Sequence, residues 1–154
     1  MPVERVTHVG VCVTDLARSV AFYRDLLGFR CLSEIHVAGE PSDTLLGLKD
    51  VDLRAAYLER DGLRLELLHY ASPKFPPTAA ARAMNDLGFT HLSIRVSALA
   101  ELERRLREAG VTIVDSTRID IPAFEAAAVF VKDPDGLPIE LVQAPGDPAL
   151  PPQV

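Results

Sequence analysis

His8, Glu66, His91 and Glu140 stand at matching places in a chain of 154 residues, and their types are those that hold divalent cations. Each histidine follows a threonine and opens an apolar alternation, THVGVCVTDL over residues 7–16 and THLSIRVSAL over 90–99. Each glutamate lies four residues beyond a glycine in a second repeated segment, DGLRLELL at 61–68 and DGLPIELV at 135–142. Successive side chains of a strand point to opposite faces. With Val9, Val11 and Val13 on one face, His8 takes the other with Gly10 and Cys12, and His91 likewise shares a face with Ser93 and Arg95. Glu66 stands opposite Leu63, Leu65 and Leu67, as Glu140 does opposite Leu137, Ile139 and Leu141. Helix packing explains repeated leucines; it does not explain a histidine and a glutamate repeated on the other face. Two neutral imidazoles and two carboxylates suit a divalent Zn, Ni, Co, Mn or Fe ion with one or two positions left open for a substrate.

The elements that must carry these residues repeat as well. In each half a strand is followed by a helix with Asp15 or Ser97 near its start. Its apolar face is Val20, Phe22, Tyr23, Leu26 and Leu27 in the first half and Leu99, Leu102, Leu106 and Ala109 in the second, and Gly28 or Gly110 stops it. Three strands close each unit, expected at 29–37, 52–59 and 63–70 and again at 111–117, 125–132 and 137–143. Asp-Gly at 61–62 and Asp-Pro-Asp-Gly at 133–136 are turn chemistry between the last two strands of each half. The expectation is an α+β fold in which two βαβββ repeats form a cupped, mostly antiparallel sheet with the helices outside. One domain over 1–144 would consist of repeats 3–70 and 88–144 and a linker at 71–87 that holds a short helix, with a proline-rich extended tail at 145–154. Residues 38–50 interrupt the first half as a rim or lid.

Apolar residues make up 48% and charged residues 25%, enough to bury a core and too much for disorder. The formal charge of -6 repels phosphate backbones, which argues against nucleic acid. Nothing reads as a signal peptide or a membrane span, so a cytoplasmic protein is expected. Cys12 and Cys31 are too few for a disulfide framework and read as buried small hydrophobes.

The repeated THV/THL and IEL/LEL segments, with FYRDLLGF at 22–29 and VKDPDGLPIEL at 131–141, resemble the vicinal oxygen chelate superfamily, which includes glyoxalase I, methylmalonyl-CoA epimerase, extradiol dioxygenases and bleomycin-resistance proteins. The resemblance covers about residues 3–144. It implies a divalent metal held by His8, Glu66, His91 and Glu140, and a lyase or isomerase that abstracts a proton next to a metal-bound carbonyl of a small oxygenated substrate. It implies Glu140 as the first choice of base and Glu66 as the second. An extradiol-type dioxygenase would need only His8, His91 and Glu140, leaving Glu66 surplus, and a drug-binding resistance protein usually lacks the ligands; all four point to the glyoxalase and epimerase branch.

A homodimer is expected, because cupped sheets leave edges to be covered. Glu34 and His36 share a face that could border the cavity, although a solvated face explains them more simply, and His69 reads as structural. Tyr70, Phe75, Met84 and Phe124 are candidate pocket residues, and Arg54 or Arg95 is placed to meet a substrate carboxylate.

Overall fold

A computed structural model describes residues 3–75 and 83–146, and the chain divides into two compact units, Met1–Ala79 and Ala80–Val154. Most of the short helix expected in the linker and nearly all of the tail lie outside the described residues.

The first unit runs β1 (Val9–Cys12), α1 (Leu16–Ala21), β2 (Arg30–Ala38), α2 (Ser42–Leu46), β3 (Asp52–Arg60) and β4 (Leu63–Ser72), with strand order β1-β4-β3-β2. The second runs β5 (Leu92–Arg95), α3 (Leu99–Glu108), β6 (Ile113–Ile121), β7 (Ala126–Lys132) and β8 (Pro138–Gln143), with order β5-β8-β7-β6. The two orders are the same βαβββ pattern. In each sheet the first strand pairs parallel with the last, and the other neighbours are antiparallel. The fold is α+β, with two four-stranded mixed sheets that do not close.

One face of each sheet is packed under the helix of its own unit. In the first unit α1 contacts β3 and β4, burying Leu58, Leu65 and Leu67 with Val20, Phe22 and Tyr23. In the second, α3 contacts β6 and β8, with Leu99, Leu106, Val129, Val131, Ile139 and Leu141 all buried. Each such side chain contributes roughly 1.5–3 kcal/mol of burial, so the leucine alternation determines which face is inward and, by exclusion, which face is left for chemistry.

Several local features depart from the expected pattern. Asp15 caps α1 as expected, its carboxylate accepting from the Arg18 amide at 2.9 Å. Past Ala21 the helix widens into a π-helical turn, Phe22–Leu26, which brings the adjacent aromatics Phe22 and Tyr23 both inward, edge to face at 5.1 Å. Ser97 does not cap α3: the cap residue is Ala98, and the Leu99 amide donates instead to Gln143 Oε1 of β8 at 2.8 Å. β6 begins two residues later than expected, because the Val111 amide still bonds Leu106 O at 2.9 Å and so belongs to the helix stop. It also runs further, to Ile121, across a register shift that Thr117 fills by accepting the Phe130 amide at 2.9 Å. The interruption at 38–50 contains α2, tied to the start of β3 by Asp43, whose carboxylate accepts from Asp50 N at 3.2 Å and Val51 N at 2.8 Å. The cysteines are not buried: Cys12 is exposed and Cys31 half-buried, because Cys12 points away from α1 with Gly10.

Candidate functional site

The face of each sheet turned away from its helix carries a histidine–glutamate pair at the parallel seam. In the first unit Gly10 pairs with Glu66 across β1 and β4, and Tyr57 pairs with Glu66 across β3 and β4. His8, just before β1, brings Nε2 to 3.1 Å from Glu66 Oε2. In the second unit Ser93 and Phe130 are the partners of Glu140, and His91 Nε2 lies 3.8 Å from Glu140 Oε2. Each imidazole stands edge to face against the β3 or β7 aromatic, His8 on Tyr57 at 5.5 Å and His91 on Phe130 at 5.4 Å. The other ring nitrogen is held too: Thr7 Oγ1 is 3.1 Å from His8 Nδ1, and Thr90 Oγ1 is 2.9 Å from His91 Nδ1. In the tautomer whose Nδ1–H donates to threonine, the Nε2 lone pair faces the carboxylate, as a metal ligand requires; in the other, the threonine hydroxyl donates to Nδ1 and Nε2–H donates to the carboxylate.

These donors fit a divalent cation. An imidazole nitrogen and a carboxylate oxygen this close need a proton or a cation between them. Ligand bonds of about 2.0–2.2 Å at tetrahedral angles put two donor atoms about 3.4 Å apart. The separations of 3.1 and 3.8 Å bracket that value. Of the expected ligands, the structure brings His8 to Glu66 and His91 to Glu140. Among the described residues no group of three or more His, Cys, Asp or Glu side chains is gathered for an ion, and each unit by itself supplies one histidine and one glutamate.

The pairs differ in how their carboxylates are held. Tyr57 OH donates to Glu66 Oε1 at 2.5 Å, and the Glu66 side chain is 14% exposed. Glu140 accepts from Ser93 Oγ at 2.7 Å and is 30% exposed. The hydrogen bond to Glu66, together with burial, pushes the Tyr57 phenol up to about 12. The chain has three tyrosines and no tryptophan, so absorbance at high pH reads them directly. One phenol is expected to titrate near pH 12, above the ordinary value of 10, and Tyr57→Phe should remove that step. Because the folded value is raised, this bond's contribution to stability is complete below pH 10 and fades as pH rises toward 12. Loss of a phenol step near pH 10 in Tyr57→Phe, instead of the step near pH 12, would refute the bond.

Tyr57 has no distinctive motif around it, yet the turn locates it: the two-residue Asp61–Gly62 hairpin closes Arg60 on Leu63, and counting outward sets Tyr57 against Glu66. Glu34 and His36 do not border this face; they pair with Ala56 and Arg54, on the side of the sheet that carries Leu58 and Leu67, and His36 Nε2 lies 2.7 Å from Asp52 Oδ1. His69 is on that side as well, with Nδ1 3.3 Å from Val13 O. Tyr70 shares the Glu66 face and is half-buried, its phenol raised first by burial and then by the neighbouring Cys12 and Glu66. Phe75, Met84 and Phe124 are exposed.

Residues 5–141 match the profile of the Glyoxalase/Bleomycin resistance protein/Dioxygenase superfamily. The chain is 32% identical to the uncharacterized protein YaeR of Escherichia coli, over 91% of this chain and 96% of that one. It is 27% identical to the ethylmalonyl-CoA/methylmalonyl-CoA epimerase of Cereibacter sphaeroides, over 92% and 98% respectively. A crystal structure of a glyoxalase family protein from Bacillus cereus superposes with a TM-score of 0.82 at 20% identity, covering 95% of this chain and 97% of that one. Among the described residues no helix is long and apolar enough to cross a membrane.

Proposed function

This chain belongs to the Glyoxalase/Bleomycin resistance protein/Dioxygenase superfamily, and on that premise we propose that it is a metal-dependent lyase or isomerase of a small oxygenated substrate. His8 and Glu66 in the first unit and His91 and Glu140 in the second are the ligands this reading assigns to a divalent ion. The observation that carries this reading is the repetition, in both units, of an Nε2 atom facing a carboxylate oxygen while a threonine hydroxyl holds Nδ1. Such an ion supplies Lewis-acid stabilisation of negative charge on a substrate oxygen. Glu140 takes the proton from the carbon next to the carbonyl and returns it. Its longer contact with histidine and greater exposure leave it freer to move than Glu66, which Tyr57 holds in place. The same reading takes the protein as a cytoplasmic homodimer, with β1, β2, β5 and β6 as the sheet edges available for covering.

The test is metal analysis of protein purified without chelator, which should find about one divalent ion per chain, followed by His91→Ala, which should strip it. Protein that takes up no divalent ion even after Zn, Ni, Co and Mn are added back would overturn the reading. Turnover is then sought as proton exchange with solvent, screened over hemithioacetals and acyl-CoA esters.

A further inference from the structure

The two units match closely around their glutamates, but one cation breaks the symmetry. In the second unit the row next to Glu140 on the same face runs Ile119, Ala128, Val142 and Arg95, since Ile119 pairs with Ala128, Ala128 with Val142, and Val142 with Arg95. In the first unit the place of Arg95 is taken by Cys12, paired with Leu68. The row is apolar up to Arg95, and Ile119 is 51% exposed despite its size. Arg95 spends one donor on the Ala144 carbonyl, Nη2 to O at 3.0 Å, and among the described residues no carboxylate pairs with it. Arg54 is no rival: it pairs with His36 and His69 on the opposite face of its sheet.

We propose that Arg95 binds a carboxylate of the substrate, making the substrate class a small carbonyl compound with a carboxylate at its other end and a short apolar spacer between. The inference rests on Glu140 meeting the reacting end. Two residues along a strand span about 6.6–6.8 Å, so a molecule lying along β8 reaches from the Glu140 row to the Arg95 row within the length of a few bonds. The spacer lies over Ala128 and Val142. The guanidinium fork matches a carboxylate with two parallel hydrogen bonds, and the Ala144 contact restricts the side chain before the ligand arrives, which lowers the ordering cost of binding.

The experiment uses the full chain loaded with zinc and two probes that present the same chelating hydroxamate: succinic acid monohydroxamate, which adds a carboxylate, and its methyl ester, which does not. Calorimetry should show the free acid binding about tenfold tighter than the ester. Arg95→Met should remove that preference without changing metal content or affinity for the ester, Arg95→Lys should keep part of it, and Arg54→Met should keep all of it. Equal affinities in the parent protein, or a preference that survives Arg95→Met, would overturn the assignment while leaving the metal reading intact. Failure of the parent protein to take up zinc or any other added divalent ion would overturn the metal reading, and this inference with it; zinc uptake without binding of either probe would overturn this inference alone.

Discussion

Glutamine in place of Glu140 is expected to slow proton exchange at the carbon next to the carbonyl by roughly 10²–10⁴-fold when metal is saturating, the usual contribution of a positioned general base. Glutamine in place of Glu66 should instead act mainly on metal affinity, weakening it by at least about tenfold, with much smaller loss of exchange once metal is saturating. The difference follows from how the two carboxylates are held. Glu66 sits 3.1 Å from His8 with its second oxygen taken by Tyr57, and a side chain anchored at both oxygens is poorly placed to carry a proton to and fro. Glu140 uses Oε2 for Ser93 at 2.7 Å and stands 3.8 Å from His91, so Oε1 is the oxygen available to a substrate. Kinetics at saturating metal, paired with a metal titration of each variant, check this. Exchange that persists in Glu140→Gln, or falls equally in both variants, would place the base elsewhere.

Asp133→Ala is expected to destabilise the protein by about 3 kcal/mol, read by denaturant unfolding, with Asp133→Asn costing about 1 kcal/mol. Asp133 is only 5% exposed, and its Oδ1 accepts from the amides of Asp135 at 2.9 Å and Leu137 at 2.8 Å. Alanine leaves both donors without their acceptor, whereas asparagine still offers an oxygen. Gly136 completes the turn with φ +91°, a conformation that side chains beyond glycine resist. The loop sets the register that pairs Lys132 with Pro138 and Phe130 with Glu140. A slip of one residue would turn Glu140 under the helix and Ile139 out to solvent, so stability and the site depend on the same carboxylate. An Asp133→Ala protein as stable as the parent would refute this account.

The four candidate ligands were legible because side-chain alternation is strict: leucines that pack under a helix assign the intervening glutamate to the opposite face without any knowledge of the partner strand. Tyr57 was not, since a tyrosine in AAYLE carries no motif and matters only through the strand beside it, although the Asp61–Gly62 turn would have located it by counting. The threonines preceding both histidines were visible as part of a repeat, but their hold on Nδ1 is a matter of rotamer and distance. Ser97 was a poor guide because a polar residue near a helix start competes with any acceptor the fold supplies, and Gln143 reaches the Leu99 amide from another strand. The exposure of Cys12 illustrates a different difficulty: cysteine is buried by habit, yet its place in the alternation already put it on the same face as His8.

Both pairs lie where the first strand of a unit meets its last, at Val9 on Leu65 and at Leu92 on Ile139, and those first strands are only four residues long. These are the contacts of greatest sequence separation within each sheet, so loop-closure entropy opposes them most and they are expected to form late in folding. Each donor pair is therefore completed only when its sheet is, and a half-folded unit offers a histidine or a glutamate but not both at once. Whatever binds across the seam adds its binding free energy to the docking of a short strand, so β1 and β5 are the segments whose amide exchange should slow most on loading.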